Sequence, residues 1–425
     1  MNISMKEFLK VWIYVAMNSF GGPAGQIAVI HKIVVEEKKL ISEQQFLRAL
    51  NFCMLLPGPE AQQLATYMGW LMKGTRGGLI SGLLFILPGF LSILIFSYLY
   101  VLYRDISLVQ GIFYGIKPAI IAIVLAALIK ISKKALCATV YWTIALVAFT
   151  ALFFFNASFP FVICLAAFVG IILHQKTNEE SPENFNLPPL LKTLKTISWC
   201  LIFWAIPFII SFFIFDKESN FHNINFFFSK MALVTFGGAY ASLSYMAQQA
   251  VEHFSWLYPH EMIDGLALAE TTPGPLIQVV QFVGFMGAYR FSEGFNPLTS
   301  ALIGSFLSTW MTFAPCFLFI FTFAPYLEFL QSKRIFQDAL RAISAAVVGV
   351  ILNLSLWFMI NSIFQKTIKV DGSFLNFSYP QVSSLDIYAL LIGLVSIFMQ
   401  FKMLSSILKI LGVSIILGIL VKTLL

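Results

Sequence analysis

Two matching proline-glycine-proline stretches are the residues of this chain best suited to binding an ion. Pro57-Gly58-Pro59 and Pro273-Gly274-Pro275 each lie inside an apolar segment, and a glutamine follows each at the same offset, Gln62 and Gln278. Proline lacks an N–H and disfavours helical geometry in the residue before it, so each stretch interrupts or starts a helix. A helix that starts there presents free N–H groups and a partial positive charge, which together suit an anion.

A second paired motif extends this set. A hydroxyl residue followed by phenylalanine and two glycines begins at Ser19 and again at Thr235, with the displacement that separates the two PGP stretches. Hydroxyls and amides can donate to an oxyanion, and glycine allows close backbone approach. The alternative is plain architecture, because glycine packs membrane helices closely and proline kinks them. The predicted substrate ligands are Ser19, Gly21, Gly22, Gly58, Gln62, Lys117, Thr235, Gly237, Gly238, Gly274 and Gln278.

Lys117 belongs to that set because of charge balance. Two helix ends supply about one positive unit, which matches a monovalent anion and leaves a dianion short. Lys117 lies inside an apolar segment, "YGIKPAI", where a charge costs roughly 2.5 to 3.5 kcal/mol by insertion scales. The alternative is that its side chain extends to the membrane interface.

Two acids are candidates for coupling transport to protons. Glu60 follows the first PGP stretch directly, where a carboxylate either caps the helix or binds a proton. A protonated acid does not repel an anion, whereas a carboxylate does. Glu270 precedes the second PGP stretch, and Met54 stands at the equivalent place in the first copy.

Composition indicates the elements that must position these residues. Hydrophobic residues make up 59% of the 425 and charged residues only 11%, which is typical of a polytopic membrane protein. The net charge of +7 needs no nucleic acid, because cytoplasmic loops of membrane proteins collect Lys and Arg. The five cysteines form no CxxC pair and no GxxxxGK[ST] loop is present, so we predict no cofactor, no metal, no catalytic residue and no ATP-driven transport.

The apolar segments fall into two groups around a polar linker. The first group lies near 8–31, 46–72, 79–103, 108–131, 136–155 and 157–174; the second lies near 197–215, 228–250, 262–288, 298–325, 336–363, 385–401 and 404–424. We therefore predict a first transporter repeat at 1–174, a polar linker at 175–196, an extra inverting segment and loop at 197–227, and a second repeat at 228–425.

The order of these segments predicts that the two repeats are inverted. If every segment spans, an odd number of crossings separates the two FGG motifs, which gives the copies opposite orientations. The predicted fold is an all-α polytopic membrane protein with about 6+7 membrane segments, whose PGP-broken half-helices meet at a central site. The bias of Lys and Arg favours a cytoplasmic amino terminus, with Lys32, Lys38 and Lys39 on the opposite side.

One further polar cluster stands between two segments. His253 and His260 lie close in sequence to Glu252, Glu261 and Asp264. We interpret this stretch as a solvated loop, with a metal or pH-sensing cluster as the alternative.

The paired motifs resemble the chromate ion transporter family in its long-chain, two-domain form. The resemblance rests on the two FGG motifs, "LNFCMLLPGPEAQQLATYMGW" and "LALAETTPGPL", and it extends over both halves. Ala239 departs from the symmetry, since Pro23 follows the first glycine pair. The resemblance implies a multi-pass inner-membrane (plasma-membrane) transporter of chromate, with sulfate as its analogue, usually directed outward.

The predicted function is therefore secondary transport of a tetrahedral oxyanion, with proton coupling through Glu60 and Glu270. The alternatives are a sulfate or other anion uptake carrier and an anion channel. A membrane-embedded enzyme would need convergent metal ligands or a nucleophile with its base, and the sequence indicates neither. The predicted partners are the oxyanion and the lipid bilayer, without nucleic acid; a homodimer is one alternative for the assembly.

Overall fold

The protein is built almost entirely from helices. The computed structural model describes residues 3–173, 189–216, 218–236, 238–327, 334–372 and 375–424. Within these ranges, six helices are long and apolar enough to cross a membrane. Together with the composition, they define a polytopic all-α membrane protein, as predicted.

The first repeat consists of helices whose ends coincide with the sequence motifs. They are α1 (Met5–Asn18), α2 (Gly22–His31) with a π-helical turn (Lys32–Glu37), α3 (Glu43–Cys53), α4 (Glu60–Tyr103), α5 (Ser107–Ala135), α6 (Thr139–Phe155) and α7 (Phe159–Ile172). Helix α4 folds back on itself where Gly74 has a φ of +61°. Ser81 Oγ donates to the Ala65 carbonyl at 2.8 Å across this bend, so arms 60–72 and 75–103 are separate elements.

The second repeat follows the same order after one additional helix. Its elements are α8 (Leu190–Ile214), α9 (Asn220–Val234), α10 (Ala239–Ala247) with a π-helical turn (Gln248–His253), α11 (Pro259–Thr271), a 3-10 turn (Leu276–Gln278), α12 (Val279–Arg290), α13 (Pro297–Phe323), α14 (Arg334–Ile363), β1 (Thr367–Asp371), β2 (Asn376–Pro380), α15 (Ile387–Phe401) and α16 (Ile407–Leu424). Helix α8 begins inside the predicted linker, whose residues 175–188 lie outside the described ranges. Helix α9 begins before the predicted start of the second repeat at 228.

Helices α11 and α12 form a re-entrant hairpin instead of crossing the membrane. Arg290, the last residue of α12, donates to the carboxylate of Glu261, near the start of α11, at 2.9 Å. Both ends of the hairpin therefore lie at one membrane face, and the second PGP stretch is at its tip. The condition that every segment spans, on which the count of crossings rested, does not hold for segment 262–288, because its two arms lie side by side.

Helices α9 and α10 return in the same way around the second FGG motif. Trp256 Nε1 donates to Asn220 Oδ1 at 2.7 Å, which joins the segment that follows the π-helical turn to the start of α9. The rings of Phe227 and Tyr245 lie 5.5 Å apart between the arms. Segment 228–250 is thus a second re-entrant hairpin.

The first repeat contains the equivalent pair of hairpins. The rings of Phe52 and Tyr67 are 5.4 Å apart, although a continuous helix would separate these residues by roughly 22 Å. Helix α1 also contacts the π-helical turn that follows α2. Segments 8–31 and 46–72 therefore return around the first FGG and PGP motifs instead of crossing.

The hairpins of the two repeats enter from opposite membrane faces. Along α13, Gly304 packs against Gly284 near the base of the second-repeat hairpins, and Phe321 packs against Gly78 near the base of the first-repeat hairpins. We call these ends the second face and the first face. Counted with their π-helical turns, the arms have 11 to 16 residues and rise about 16 to 24 Å, so the four tips meet deep within a hydrocarbon layer of about 30 Å.

The closing helices of each repeat pack on the long helix of the other. Gly111 in α5 lies against Gly418 in α16, and Gly170 in α7 lies against Ala339 in α14. Glycine is needed at such positions because an added Cβ would collide with the facing backbone. The two repeats are therefore interlocked.

Candidate functional site at the crossing of four hairpin tips

Two backbone hydrogen bonds cross between the repeats at the hairpin tips. Gly58 N–H donates to the Thr235 carbonyl at 2.7 Å, and Gly274 N–H donates to the Ser19 carbonyl at 2.9 Å. Each PGP tip thus meets the FGG tip of the opposite repeat. The structure brings together the two motifs that the sequence singled out.

Each PGP glycine also packs against a helix of the other repeat. An added Cβ would lie 3.1 Å from Cys316 Sγ at Gly58 and 3.0 Å from Gly89 Cα at Gly274. Their φ values of +117° and +101° lie in the region that favours glycine. Cys316 and Gly89 directly follow Pro315 and Pro88, which lie inside α13 and α4.

Four helical arms begin at the tips without side-chain caps. The residues that precede these arms are Gly21 before α2, Pro59 before α4, Gly238 before α10 and Pro275 before the 3-10 turn leading into α12. By contrast, Ser4 and Ser42 cap α1 and α3 at the first face. Together, four uncapped helix N-termini supply about two units of positive charge. This is twice the charge predicted from the two PGP stretches alone.

The two helices that lead into the FGG tips, α1 and α9, end in carbonyl groups that accept hydrogen bonds. Ser19 Oγ donates to the Val15 carbonyl at 2.7 Å, and Thr235 Oγ1 donates to the Met231 carbonyl at 2.6 Å. The crossing bonds satisfy the carbonyls of Ser19 and Thr235 themselves. These hydroxyl hydrogens are engaged, so direct donation from Ser19 and Thr235 to an anion stays a prediction.

The two paired glutamines differ in what they leave free. Gln62 Nε2 donates to Thr66 Oγ1 at 3.0 Å, which uses one of its two amide hydrogens. Gln278 Nε2 donates to Gln281 Oε1 at 2.7 Å and to Thr309 Oγ1 at 3.3 Å, which uses both. Both side-chain oxygens are buried without a partner. Gln62 therefore has a free donor, and Gln278 presents an acceptor.

Two other glutamines, which sequence reasoning missed, hold the tips in place. Gln26 Nε2 donates to the Gly274 carbonyl and Gln63 Nε2 donates to the Pro57 carbonyl, both at 2.6 Å. Both residues are buried. Their position shortly after a tip motif, in an apolar stretch, is the signal that could have identified them.

Each candidate acid lies beside the glycine motif of the opposite repeat. Glu270 Oε1 accepts from Tyr240 Oη at 3.0 Å, and its buried Oε2 has no partner. An added Cβ would lie 3.9 Å from Glu270 Oε2 at Gly22 and 3.6 Å from Glu60 Oε1 at Gly238. The two acids are therefore spatial counterparts, although the sequence register pairs Glu270 with Met54.

The structure places Lys117 away from the crossing. Its Nζ lies 3.2 Å from Asp264 Oδ1, and Asp264 is about 10 Å along α11 from Thr271 at the tip. Tyr100 Oη donates to the other Asp264 oxygen at 2.9 Å. The charge of Lys117 is thus compensated locally, and its role as a substrate ligand stays a prediction.

The predicted solvated loop around His260 is wrong for two of its acids. Glu261 and Asp264 are 0% and 2% exposed because α11 begins at Pro259 and buries them. Glu261 is bound by Arg290 and also accepts from Arg104 Nη1 at 3.1 Å. This cluster fixes the base of the second PGP hairpin to the end of α4.

The remaining predicted glycines are less informative. Gly21 has a φ of +83°, and no atom lies within 4 Å of an added Cβ there. Its open surroundings are compatible with close approach of a ligand. Gly237 lies outside the described residues.

Two inverted, interlocked repeats whose broken helices meet within the membrane define a secondary-transporter architecture. The chain belongs to the chromate transporter family, whose model matches residues 6–171 and 222–419. It is 30% identical over 344 residues to a chromate transport protein of Pseudomonas aeruginosa, covering 78% of this chain and 76% of that protein.

A second relative covers nearly the whole chain. An uncharacterized transporter of Methanocaldococcus jannaschii is 26% identical over 423 residues, which are 99% of this chain and 94% of that protein. A chromate transport protein of Cupriavidus metallidurans is 24% identical over 355 residues, 82% of this chain and 81% of that protein. No solved structure matches.

Proposed function

We propose that this protein is a secondary transporter of a tetrahedral oxyanion, which binds where the four hairpin tips meet. The observation that supports this most directly is that four helix N-termini begin there uncapped, while the opposing carbonyl ends are satisfied. About two units of positive charge match a dianion without a lysine. The buried free amide hydrogen of Gln62 is a second donor group of the site.

Chromate is the first substrate to test, with sulfate as its analogue. The relatives from Pseudomonas aeruginosa and Cupriavidus metallidurans are named chromate transport proteins, and chromate and sulfate are both tetrahedral dianions. We propose outward transport across the inner membrane, with a cytoplasmic first face. Re-entry of the first hairpins supports that orientation, because it moves Lys32, Lys38 and Lys39 to the first face.

The first face then has the larger share of positive charge. Its described lysines and arginines include Lys6, Lys10, Lys32, Lys38, Lys39, Lys73, Arg76, Lys130, Lys133, Lys192 and Lys195, whereas Arg104, Lys117, Arg290, Lys366, Lys369 and Lys422 lie toward the second face. Positive residues concentrate on the cytoplasmic side of membrane proteins. This supports a cytoplasmic amino terminus more strongly than the sequence segments did.

Glu60 and Glu270 are the proposed coupling acids. Each lies beside a glycine pair at which a helix N-terminus is exposed, so an ionised carboxylate there competes with the anion for the same positive charge. Protonation removes that competition. The arrangement favours binding of anion and proton together.

The test is uptake of labelled chromate and sulfate into proteoliposomes that contain purified protein, with and without a pH gradient. We expect saturable chromate transport that responds to the gradient and is competed by sulfate. Non-saturable flux that follows the membrane potential alone would support the channel alternative. No transport of either ion by folded protein would contradict the proposed function.

A further inference from the structure

A cavity at the second face has no part in the site described above. It has a volume of about 450 Å³ and lies between α10 with its π-helical turn, the end of α14 and the β-hairpin. Neutral polar side chains are prominent in its lining, including Ser244, Gln248, Asn353, Asn361 and Ser378. Hydroxyl and amide groups of this kind can replace water molecules as hydrogen-bond partners of a small ion.

Helix α10 connects this cavity with the crossing. Ser244 and Gln248 line the cavity, and Tyr240 lies one turn closer to the tip on the same helical face, since residues four apart are neighbours. Tyr240 donates to Glu270 beside the first glycine pair. A polar stripe therefore runs from the second face to the proposed anion site.

One basic and one acidic side chain line the cavity with opposite charges. Lys369 on β1 is the one lysine or arginine among the described lining residues, and Glu252 on the π-helical turn is the one acid. Both side chains line the same cavity, where their opposite charges attract each other. An arriving anion would compete with Glu252 for Lys369.

The β-hairpin that bears Lys369 is a feature of the second repeat alone. Between α5 and α6 of the first repeat, the chain has only residues 136–138. The hairpin is fixed in place by Phe377, whose ring lies 5.5 Å from that of Phe154 on α6. The β-hairpin thus forms one wall of the cavity at the second face, and the described part of the first face has no equivalent element.

We propose that this cavity is an entrance site at which the transported oxyanion is held by Lys369 before or after it occupies the crossing. The inference rests on the proposed function and adds a second binding place on the same path. It also assigns opposite effects to two charged residues. Lys369 attracts the anion, and Glu252 restrains Lys369.

The test compares the apparent KM for chromate at the second face in Lys369→Gln and Glu252→Gln proteoliposomes. We expect KM to rise about two- to fivefold in Lys369→Gln and to fall by a similar factor in Glu252→Gln, the range of an exposed ion pair. The maximal rate should change little in both variants. The effect of Lys369→Gln should shrink as salt is raised, because screening weakens recruitment.

Lys366→Gln is the matched control, because Lys366 lies just before the same strand but does not line the cavity. Its KM should equal that of wild type. Unchanged KM in Lys369→Gln, or a rise in both Lys369→Gln and Glu252→Gln, would overturn the entrance site while transport by wild type upholds the proposed function. A wild type that transports no oxyanion would overturn the proposed function itself.

A second measurement does not depend on transport kinetics. Ser244→Cys should react with a membrane-impermeant anionic thiol reagent applied at the second face. Sulfate should slow the reaction; it is the protecting ion because chromate oxidises thiols. Wild-type protein, treated identically, accounts for its own cysteines. Labelling of Ser244→Cys only from the first face, or labelling that sulfate does not slow, would contradict the entrance site.

Discussion

The N–H of Gly58 donates to the carbonyl of Thr235 at 2.7 Å, so a helix break of one repeat is joined to a helix break of the other. The bond from Gly274 to Ser19 repeats this relationship at 2.9 Å with the repeats exchanged. Two motifs far apart in the chain thus form one structural unit. The predictions below test that unit and the groups around it.

Alanine at Gly58 or Gly274 should disrupt the crossing. Both glycines have positive φ, which costs an L-residue about 1 to 2 kcal/mol, and an added Cβ meets Gln63 Nε2 at 2.9 Å or Gly89 Cα at 3.0 Å. We expect a lower thermal midpoint and loss of chromate transport. Gly412→Ala is the control, because no atom lies within 4 Å of its added Cβ. Equal midpoints in all three variants would contradict the packing described here.

Gln62→Ala should weaken anion binding more selectively than Gln278→Ala. A hydrogen bond to a charged group contributes about 1.5 to 3 kcal/mol, so KM for chromate should rise about tenfold or more in Gln62→Ala, with the loss of one internal hydrogen bond, to Thr66. Gln278→Ala should lower stability more, because both Gln281 and Thr309 lose their donor. Kinetics and thermal unfolding of the same preparations separate the two effects. A wild-type KM in Gln62→Ala would remove Gln62 from the site.

Glutamine at Glu60 or Glu270 should flatten the pH dependence of chromate transport. At low pH protonation removes the carboxylate charge that competes with the anion, and glutamine mimics that neutral state at every pH. The groups facing these acids are Tyr240 for Glu270, and Lys134 and the Cys53 thiol for Glu60. Rates between about pH 5 and 8 should therefore vary less than in wild type. The exposed Glu7→Gln serves as control, and an unchanged profile in both acid variants would exclude them from coupling.

Lys117→Met should destabilise the protein, because it leaves Asp264 buried and unpaired. Removing one partner of a buried ion pair costs about 3 to 5 kcal/mol. The double variant Lys117→Met, Asp264→Leu should recover most of that loss, since neither charge remains. Thermal unfolding in detergent measures both. If Lys117→Met keeps wild-type stability but loses transport of dianions selectively, Lys117 is a substrate ligand after all.

Labelling from the two faces tests re-entry directly. Cysteine at Lys39 and at Gly74 should react from the same side as the amino terminus, because the hairpins between these positions do not cross. Arg104→Cys should react from the opposite side. Spanning helices at 8–31 and 46–72 would place Lys39 opposite both the amino terminus and Gly74, which impermeant reagents distinguish.

The sequence predicted the breaks correctly but not the path of the chain around them. The hydropathy pattern does not distinguish two apolar arms around a PGP stretch from one membrane span. The contact between Glu261 and Arg290, which shows that the two arms return to the same face, joins residues too far apart to appear in a local pattern. The register also paired Glu270 with Met54, whereas in space its counterpart is Glu60. The sequence did not reveal that pairing, because Glu270 lies on the arm that leads into a tip, whereas Glu60 lies on the arm that leads out of one.

The β-hairpin escaped prediction for a different reason. Its strands are five residues each, and their stability depends on contacts with α6 such as that between Phe377 and Phe154. Local propensity contains no information about such a partner. Gln26 was missed for the same reason, because its partner, the Gly274 carbonyl, belongs to the opposite repeat.

The interlocked closing helices determine what can move as a unit. Because α15 and α16 pack on α5, and α6 and α7 pack on α14, each natural rigid body combines helices from both repeats. Helices α5 and α14 also pack on each other, so relative motion of these two groups would occur by sliding at the contact between α5 and α14. The mechanical halves of this protein do not coincide with the halves of its chain.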